Sequence, residues 1–180
     1  GRYGEGDGEF VWPTGIDLDA DYNVYVTDEW LHRVSVFDQG GTFLRHWGDA
    51  GEGDGQLNGP AGIAVDMHGD IYVADSENDR VQLHNPEGRY VEKFIGDATL
   101  YKPGRQYVLA NALTLRLRET ARLEPQKRLR GPISVRVDSK GRMYIPDYGS
   151  HRIQVYQKES YPLEPDQLSP VPRSPTLLTA

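Results

Sequence analysis

The stretch Pro60-Ala-Gly-Ile-Ala-Val-Asp66, continued by Asp70-Ile-Tyr-Val-Ala-Asp75 and Arg80-Val-Gln-Leu-His84, decides the fold because the chain contains it three times. A first copy precedes it by 47 residues and covers residues 13–37. A third copy follows at an offset of 72 residues, over residues 132–156, because an insertion of 25 residues separates it from the second. Self-similarity at this spacing is typical of propellers and solenoids, in which one repeat cannot bury its apolar face alone.

Each complete copy contains four short runs in which apolar and polar residues alternate between Gly, Asp and Asn turn signals. This pattern predicts β-strands. In the first copy the runs cover residues 15–19, 23–28, 33–38 and 42–47, and in the second they cover residues 62–66, 70–75, 80–84 and 90–95. Four antiparallel strands in sequence form a propeller blade, so the predicted fold class is all-β.

The pattern Pro-x-Gly-Ile-x-x-Asp, then Val/Ile-Tyr-Val-x-Asp, then His/Asp-Arg-Val/Ile resembles the NHL repeat. The resemblance implies a β-propeller of the six-bladed, TolB-like type. Three NHL-type blades are predicted within residues 1–157: blade 1 over about 13–48, blade 2 over about 60–96 and blade 3 over about 132–157. A basic insertion, 97–131, and a Pro-rich tail, 158–180, which we expect to be disordered, complete the domain assignment.

Three blades do not close a ring, since propellers have about 4–8 blades. Gly1 aligns with Gly48 at the end of an outer strand, and blade 3 shows no fourth strand in the sequence. We therefore expect the chain to be the C-terminal half of a six-bladed ring that upstream sequence completes. The alternative is a homodimer in which two halves complete the ring by two-fold symmetry.

Charge is distributed unevenly along the chain. The net charge is −7, yet residues 101–131 carry eight Lys and Arg side chains against two Glu. The insertion favours a helix by composition, although part of it also alternates as a strand does. We expect it to cover one face of the blades, either as a structural flap or as a lid or docking surface. The chain has no Cys and no apolar run long enough to span a membrane.

Non-repeating residues concentrate at one predicted end of the blades, which we call the loop face. It comprises the loops 28–32, 75–79 and 147–151 with the links that enter each blade. Variable loops on a repeated scaffold are where binding usually takes place. The candidate ligand-binding residues are Trp12, Glu29, Trp30, Asn58, Glu77, Asn78 and Tyr148.

Two charged positions recur in every copy and indicate structural roles. An Asp ends the second strand and an Arg begins the third, so an Asp–Arg interaction that ties these strands together is the simplest interpretation. The pairs are Asp28 with Arg33, Asp75 with Arg80, and Asp147 with Arg152.

Metal sites and catalytic motifs are not evident in the sequence. His32 and His151 share one repeat position with Asp79, which favours a turn role over a metal ligand. Asp17-Leu-Asp-Ala-Asp21 resembles the start of a calcium loop, but Tyr22 stands where that loop needs Gly. No cofactor is predicted, and calcium or zinc would be possible only in a complete ring.

Two classes of function remain open. The favoured one is a non-catalytic scaffold that binds a protein, peptide or glycan through the loop face, as similar repeats do. The other is part of a metal-dependent propeller hydrolase or lyase, of the gluconolactonase-like or amidating-lyase-like kind. RNA binding through the basic insertion is a minor alternative, because the rest of the chain is strongly acidic and phosphate neutralisation dominates such affinity.

Overall fold

The computed structural model describes residues 1–96 and 128–157. These residues form thirteen strands and short 3₁₀ turns, and no α-helix occurs among them. The predicted helix of the insertion and the predicted disorder of the tail lie outside the described residues, apart from residues 128–131.

The strands group into three antiparallel sheets, which we keep calling blades 1, 2 and 3, and one small parallel pair. The parallel pair is β1 (Arg2–Tyr3) with β2 (Glu9–Phe10). Blade 1 contains β3 (Pro13–Leu18), β4 (Val24–Asp28), β5 (Arg33–Phe37) and β6 (Phe43–Trp47). Blade 2 contains β7 (Pro60–Val65), β8 (Ile71–Asp75), β9 (Arg80–His84) and β10 (Tyr90–Phe94). Blade 3 contains β11 (Arg136–Val137), β12 (Arg142–Asp147) and β13 (Arg152–Gln157).

Strands in every blade pair in chain order, as a meander does. The prediction of an all-β fold made of antiparallel blades is confirmed, and the eight predicted strands of blades 1 and 2 agree with the observed bounds to within two residues. In blade 3 the inner strand is short, and an isolated bridge joins Pro132 to Asp147 at its start. No fourth strand of blade 3 lies among the described residues.

The hydrophobic core lies between the blades rather than inside any one of them. Because side chains of a strand alternate between its faces, Ile71 and Val73 of β8 pack toward blade 1, while Tyr72 and Ala74 pack toward blade 3. Blade 2 is therefore covered on both faces. The first core consists of Tyr25, Val34, Val36, Leu57, Ile63, Ile71 and Val73, and the second of Ala64, Tyr72, Ala74, Val81, Leu83, Leu129, Val135, Met143 and Ile145.

The short links that enter blades 2 and 3 each carry a buried leucine side chain. Leu57 and Leu129 occupy equivalent positions, and both are almost completely buried. The Leu129 N–H donates to the carbonyl of Ile95 at 3.0 Å, which fixes this link to the end of blade 2. Residues 128–131 thus form the link that enters blade 3, although the sequence analysis assigned them to the insertion. Within the described part of the chain, no helix is long and apolar enough to cross a membrane.

Candidate binding site on the loop face

The Asp at the end of each second strand holds the link that enters its own blade. Asp75 Oδ1 accepts a hydrogen bond from the Asn58 N–H at 2.6 Å. Asp147 Oδ1 accepts one from the Arg130 N–H at 2.7 Å in the same way. A buried carboxylate that accepts backbone N–H groups fixes the backbone around it. These Asp residues therefore position the links on which the loop face is built.

Arg80 connects the same carboxylate to the glycine-rich loop before the link. Its Nε donates to Asp75 Oδ2 at 2.6 Å, and both groups are buried. Its two terminal nitrogens donate to the carbonyls of Glu52, Gly53 and Gln56 at 2.8–2.9 Å. The guanidinium therefore ties β9 to the loop as well as to β8. This loop contact was not part of the sequence prediction, although the Arg and the glycine-rich loop recur together in blade 1.

Blade 1 departs from this arrangement. Arg33 donates to the carbonyls of Glu5, Gly6 and Glu9, but its buried Nε has no hydrogen-bond partner among the described residues. No Asp28–Arg33 ion pair within 4.0 Å occurs in this part of the chain, contrary to the sequence expectation. Asp28 instead accepts the N–H groups of Val11, Trp12, Trp30 and Leu31.

In blade 3 the Asp–Arg pair is present at the rim of the loop face. Arg152 Nε donates to Asp147 Oδ2 at 2.8 Å. Burial raises the pKa of the Asp147 carboxyl, but the hydrogen bonds from Arg130, Arg152 and Gln154 outweigh it and lower the pKa below its usual value. Asp147 is therefore a charged structural acceptor at neutral pH.

Two exposed tryptophans meet on the loop face of blade 1. The rings of Trp12 and Trp30 lie 6.4 Å apart at an angle of 40°. Their side chains are 58% and 59% exposed, although both backbone N–H groups donate to Asp28. The Glu29 N–H donates to the Trp12 carbonyl at 2.9 Å, which joins the loop to the link. The tryptophan pair is thus a solvent-facing aromatic surface on a fixed backbone.

Two acidic side chains, those of Glu29 and Glu77, lie close to Gly59. A methyl group on Gly59 would lie 2.7 Å from Cγ of Glu77 and 3.8 Å from Cγ of Glu29. The Glu77 N–H donates to the Asn58 carbonyl at 3.1 Å. The structure therefore brings together five of the sequence-predicted residues, which we call the tryptophan–glutamate cluster: Trp12, Glu29, Trp30, Asn58 and Glu77.

The other two candidates lie apart from this cluster. Asn78 donates through Nδ2 to the Gly51 carbonyl at 2.8 Å and to Asp75 Oδ2 at 3.0 Å, so its amide serves the blade itself. Tyr148 is exposed on blade 3, in the loop that follows β12. No group of three or more His, Asp or Glu side chains that could hold a metal ion occurs among residues 1–96 and 128–157.

Comparison with known proteins identifies the repeat. The family model of the NHL repeat matches residues 57–82, which run from the link of blade 2 to the middle of β9. The chain contains an NHL repeat. Blades 1 and 3 share its strand order and its Asp and Arg positions, so they resemble the matched repeat. No curated protein sequence matches the chain.

Solved structures support the propeller fold of the three blades. Hydrazine synthase from Kuenenia stuttgartiensis has a TM-score of 0.54 and 14% identity, over 87% of this chain and 36% of its own. A dihydro-heme d1 dehydrogenase has a TM-score of 0.53 and 10% identity, over 83% and 26%. A nidogen–laminin complex has a TM-score of 0.50 and 18% identity, over 82% and 44%. The chain therefore spans less than half the length of these proteins, and at such identities the likeness concerns the fold alone.

Four residues at the junctions between blades were not singled out as site residues in the sequence analysis. His32 and Asp79 both have left-handed backbone, with φ of 51° and 53°. Each accepts a hydrogen bond from a glycine of the following blade, Gly59 or Gly131. The sequence signal that could have identified these residues is the Gly-Pro pair that recurs at the start of blades 2 and 3. The turn role expected for His32 is therefore combined with a contact between blades.

Proposed function

We propose that the chain is a non-catalytic scaffold whose tryptophan–glutamate cluster binds a protein or peptide segment that carries a basic side chain. The observation that carries the proposal is the exposed Trp12–Trp30 pair, whose loop and link also carry the acidic residue Glu29 and lie next to Glu77 through Gly59. Tryptophan is enriched where binding energy concentrates, since its ring buries a large area with few rotatable bonds.

Support for binding at this surface comes from the way its backbone is held. Asp28 accepts the N–H groups of both tryptophans, and each of these bonds measures 3.1 Å. The rings are therefore exposed while the chain that carries them is fixed. A surface ordered in advance loses less conformational entropy when a ligand binds, which favours affinity.

The chemistry of the ligand is inferred from the charges around the rings. Glu29 and Glu77 are the side chains nearest to Gly59 in the cluster, and both are acidic. A Lys or Arg cation is attracted to the face of an indole ring within about 6 Å of its centroid. Adjacent carboxylates add to this attraction, so a basic side chain flanked by apolar residues fits the cluster best.

A panel of peptides that differ in Lys and Arg content, titrated against the full chain with tryptophan fluorescence as readout, tests the proposal. We expect Trp12→Ala and Trp30→Ala each to weaken binding by about tenfold or more, as hot-spot tryptophans do. Glu29→Gln combined with Glu77→Gln should weaken binding at low salt more than at high salt. Tyr22→Ala is the matched control, because Tyr22 is an exposed aromatic in the turn between β3 and β4.

Several outcomes would contradict the proposal. Equal binding by wild type and both tryptophan variants would place the ligand elsewhere. A preference for neutral oligosaccharides over basic peptides would favour a glycan ligand. Stoichiometric uptake of Ca²⁺ or Zn²⁺ in a calorimetric titration would favour the alternative of a metal-dependent propeller enzyme.

A further inference from the structure

Charge is divided unevenly between the blades. Residues 1–96, which include blades 1 and 2, carry six Lys and Arg against nineteen Asp and Glu. Residues 128–157, which include blade 3, carry six Lys and Arg against two Asp. The described part of the chain therefore has an acidic side and a basic side, although the three blades share one repeat pattern.

The links that enter the blades show this change at two repeat positions. The position four residues before the first Pro of each blade is occupied by Glu9 in blade 1, Gln56 in blade 2 and Arg128 in blade 3. The position two residues before that Pro is occupied by Val11, Asn58 and Arg130. Positive charge on the links of the loop face is thus concentrated at blade 3.

The loops between second and third strands change in the same direction. Beyond the structural Asp that begins each loop, loop 28–32 contains Glu29, and loop 75–79 contains Glu77 and Asp79. The remainder of loop 147–151 contains no acidic residue. The loop face is therefore acidic over blades 1 and 2 and basic at the link of blade 3.

Arg128 and Arg130 are exposed side chains on a backbone that blade 3 holds in place. The Arg130 N–H donates to Asp147 Oδ1 at 2.7 Å, and the Arg130 carbonyl accepts the Gly149 N–H at 2.8 Å. The Arg128 carbonyl accepts a hydrogen bond from the Arg152 guanidinium at 2.8 Å. Neither the Arg128 nor the Arg130 side chain has an ion pair or hydrogen bond within residues 1–96 and 128–157. Both guanidinium groups can therefore bind a ligand without first breaking a contact to these residues.

Arg130 leaves its link directly beside the loop that follows β12. A methyl group on Gly149 would lie 2.8 Å from Cβ of Arg130. Gly149 stands at the repeat position of Trp30 and Glu77, so the side chains that cover this position in blades 1 and 2 are missing in blade 3. A guanidinium group presents a planar fork of donors that matches the two oxygens of a carboxylate.

We propose that Arg128 and Arg130 form a second subsite, the arginine subsite, which binds an Asp or Glu side chain of the ligand whose basic side chain occupies the tryptophan–glutamate cluster. This inference rests on the proposed function and adds a second charge to the ligand. The ligand is a bipolar protein segment, with its basic residue over blades 1 and 2 and its acidic residue over the link of blade 3. The neutral Asn58 lies in the link between them.

A protein segment fits this surface better than a nucleic acid does. Affinity for nucleic acid depends on the number of phosphates that Lys and Arg neutralise. Two guanidinium groups neutralise few phosphates, and a strand that continued across the loop face would meet Glu77 and Glu29. A segment that carries both signs of charge meets opposite charge at both ends.

Calorimetric titration of the full chain with two peptides tests the inference. The bipolar peptide carries Lys, an apolar spacer and Glu, and its counterpart has Gln in place of Glu. Spacer length is varied, and both C termini are amidated so that the carboxylates come from side chains. At low salt we expect the bipolar peptide to bind about three- to tenfold more tightly than its counterpart, as exposed ion pairs allow. High salt should reduce this difference.

Arg128→Gln combined with Arg130→Gln should remove the difference between the two peptides and leave the affinity for the Gln peptide unchanged. This double-mutant cycle isolates the contact between the Arg and Glu side chains. The matched control is Arg89→Gln combined with Lys140→Gln, which removes the same charge from exposed turns at the opposite end of the blades. The control variant should keep the preference for the bipolar peptide.

The outcomes separate this inference from the proposed function. Equal binding of both peptides to the wild type, with loss of both in Trp12→Ala, would overturn the arginine subsite and leave the proposed function standing. Binding of an acidic peptide that requires Arg128 and Arg130, without any binding of the Gln peptide, would support the arginine subsite and contradict the tryptophan–glutamate cluster as a site. Tighter binding of a single-stranded oligonucleotide than of the bipolar peptide would overturn the inference.

Discussion

His84, at the end of β9, is a fully buried imidazole between aromatic rings. Its ring lies 5.9 Å from that of Trp47 and 6.4 Å from that of Tyr90. Nδ1 lies 3.3 Å from the Gly88 carbonyl, while the buried Nε2 has no partner in the described part of the chain. Burial lowers the pKa of His84, and the Gly88 hydrogen bond opposes only part of this effect. The folded protein therefore keeps this side chain neutral.

The lowered pKa of His84 predicts that stability falls in mild acid. The unfolded chain takes up a proton near pH 6.5, whereas the folded chain does so only at lower pH. The free energy of unfolding is therefore highest above pH 6.5 and decreases as the pH falls toward the folded pKa. We expect His84→Phe, which copies Phe37 of blade 1, to reduce this decrease between pH 7 and pH 5. Urea unfolding at both pH values measures it.

His68→Asn provides the control for this pH dependence, because His68 is exposed in the turn between β7 and β8. Its slope of stability against pH should match the wild type. A His84→Phe variant with the wild-type slope would show that other groups cause the acid sensitivity.

Strand pairs in the three blades are held by different hydrogen-bond sets, although the sequence pattern is shared. In blade 2 the Asp75 carboxylate depends on the Arg80 charge and on Gln82 Nε2, which donates at 2.9 Å. In blade 1 Ser35 replaces this Gln and is too short to reach Asp28, and its buried hydroxyl has no partner among the described residues. The contribution of the Arg side chain to stability should therefore be larger in blade 2 than in blade 1.

Removal of the two Arg side chains should have unequal effects. Arg80→Met leaves the buried Asp75 carboxylate without its cation and should lower the free energy of unfolding by about 3–5 kcal/mol. Arg33→Met loses only hydrogen bonds to carbonyls, which corresponds to about 1–3 kcal/mol. Chemical denaturation of both variants measures the difference. Arg89→Met, in the exposed turn before β10, controls for the loss of charge, and equal losses for Arg33 and Arg80 would contradict this explanation.

The strands could be predicted from the sequence because alternation and turn residues repeat in every copy. The loop face could be located by topology, which places the links beside the loops between second and third strands. The contacts of single residues could not be predicted. Asn78 turns inward because Asp75 and the Gly51 carbonyl attract its amide, and the partners of Asp28 depend on the backbone directions of two loops. The repeat pattern contains only what the copies share, so differences between single residues of the copies cannot be predicted from it.

A blade that packs against neighbours on both faces should be more stable than a blade that packs against one neighbour. Blade 2 packs against a neighbour on both faces, whereas blades 1 and 3 each pack against one neighbour among the described residues. Repeat arrays gain stability from nearest-neighbour contacts, so opening starts at the ends. We expect backbone amides of β8 and β9 to exchange with solvent more slowly than those of β4, β5, β12 and β13.

Hydrogen exchange followed by mass spectrometry measures this order. Leu57→Ala removes a side chain from the core between blades 1 and 2, and Leu129→Ala does the same between blades 2 and 3. Leu57→Ala should speed hydrogen exchange in blade 1 more than in blade 3. Leu129→Ala should speed it in blade 3 more than in blade 1. Uniform protection in all three blades would show instead that they open as one unit.

The Gly-Pro pairs that begin blades 2 and 3 give the array of blades a direction, because each glycine N–H donates to a side chain of the preceding blade. A blade joined in this way shows a donor at one edge and an acceptor at the other, so its two ends are unlike, as the two ends of a polar filament are. Contacts between unlike surfaces can propagate without limit unless geometry or chemistry stops them. Trp12 turns its N–H toward Asp28 and takes the donor away from one end. Copies of this chain should therefore resist joining end to end into fibres, even at concentrations that crowd them together.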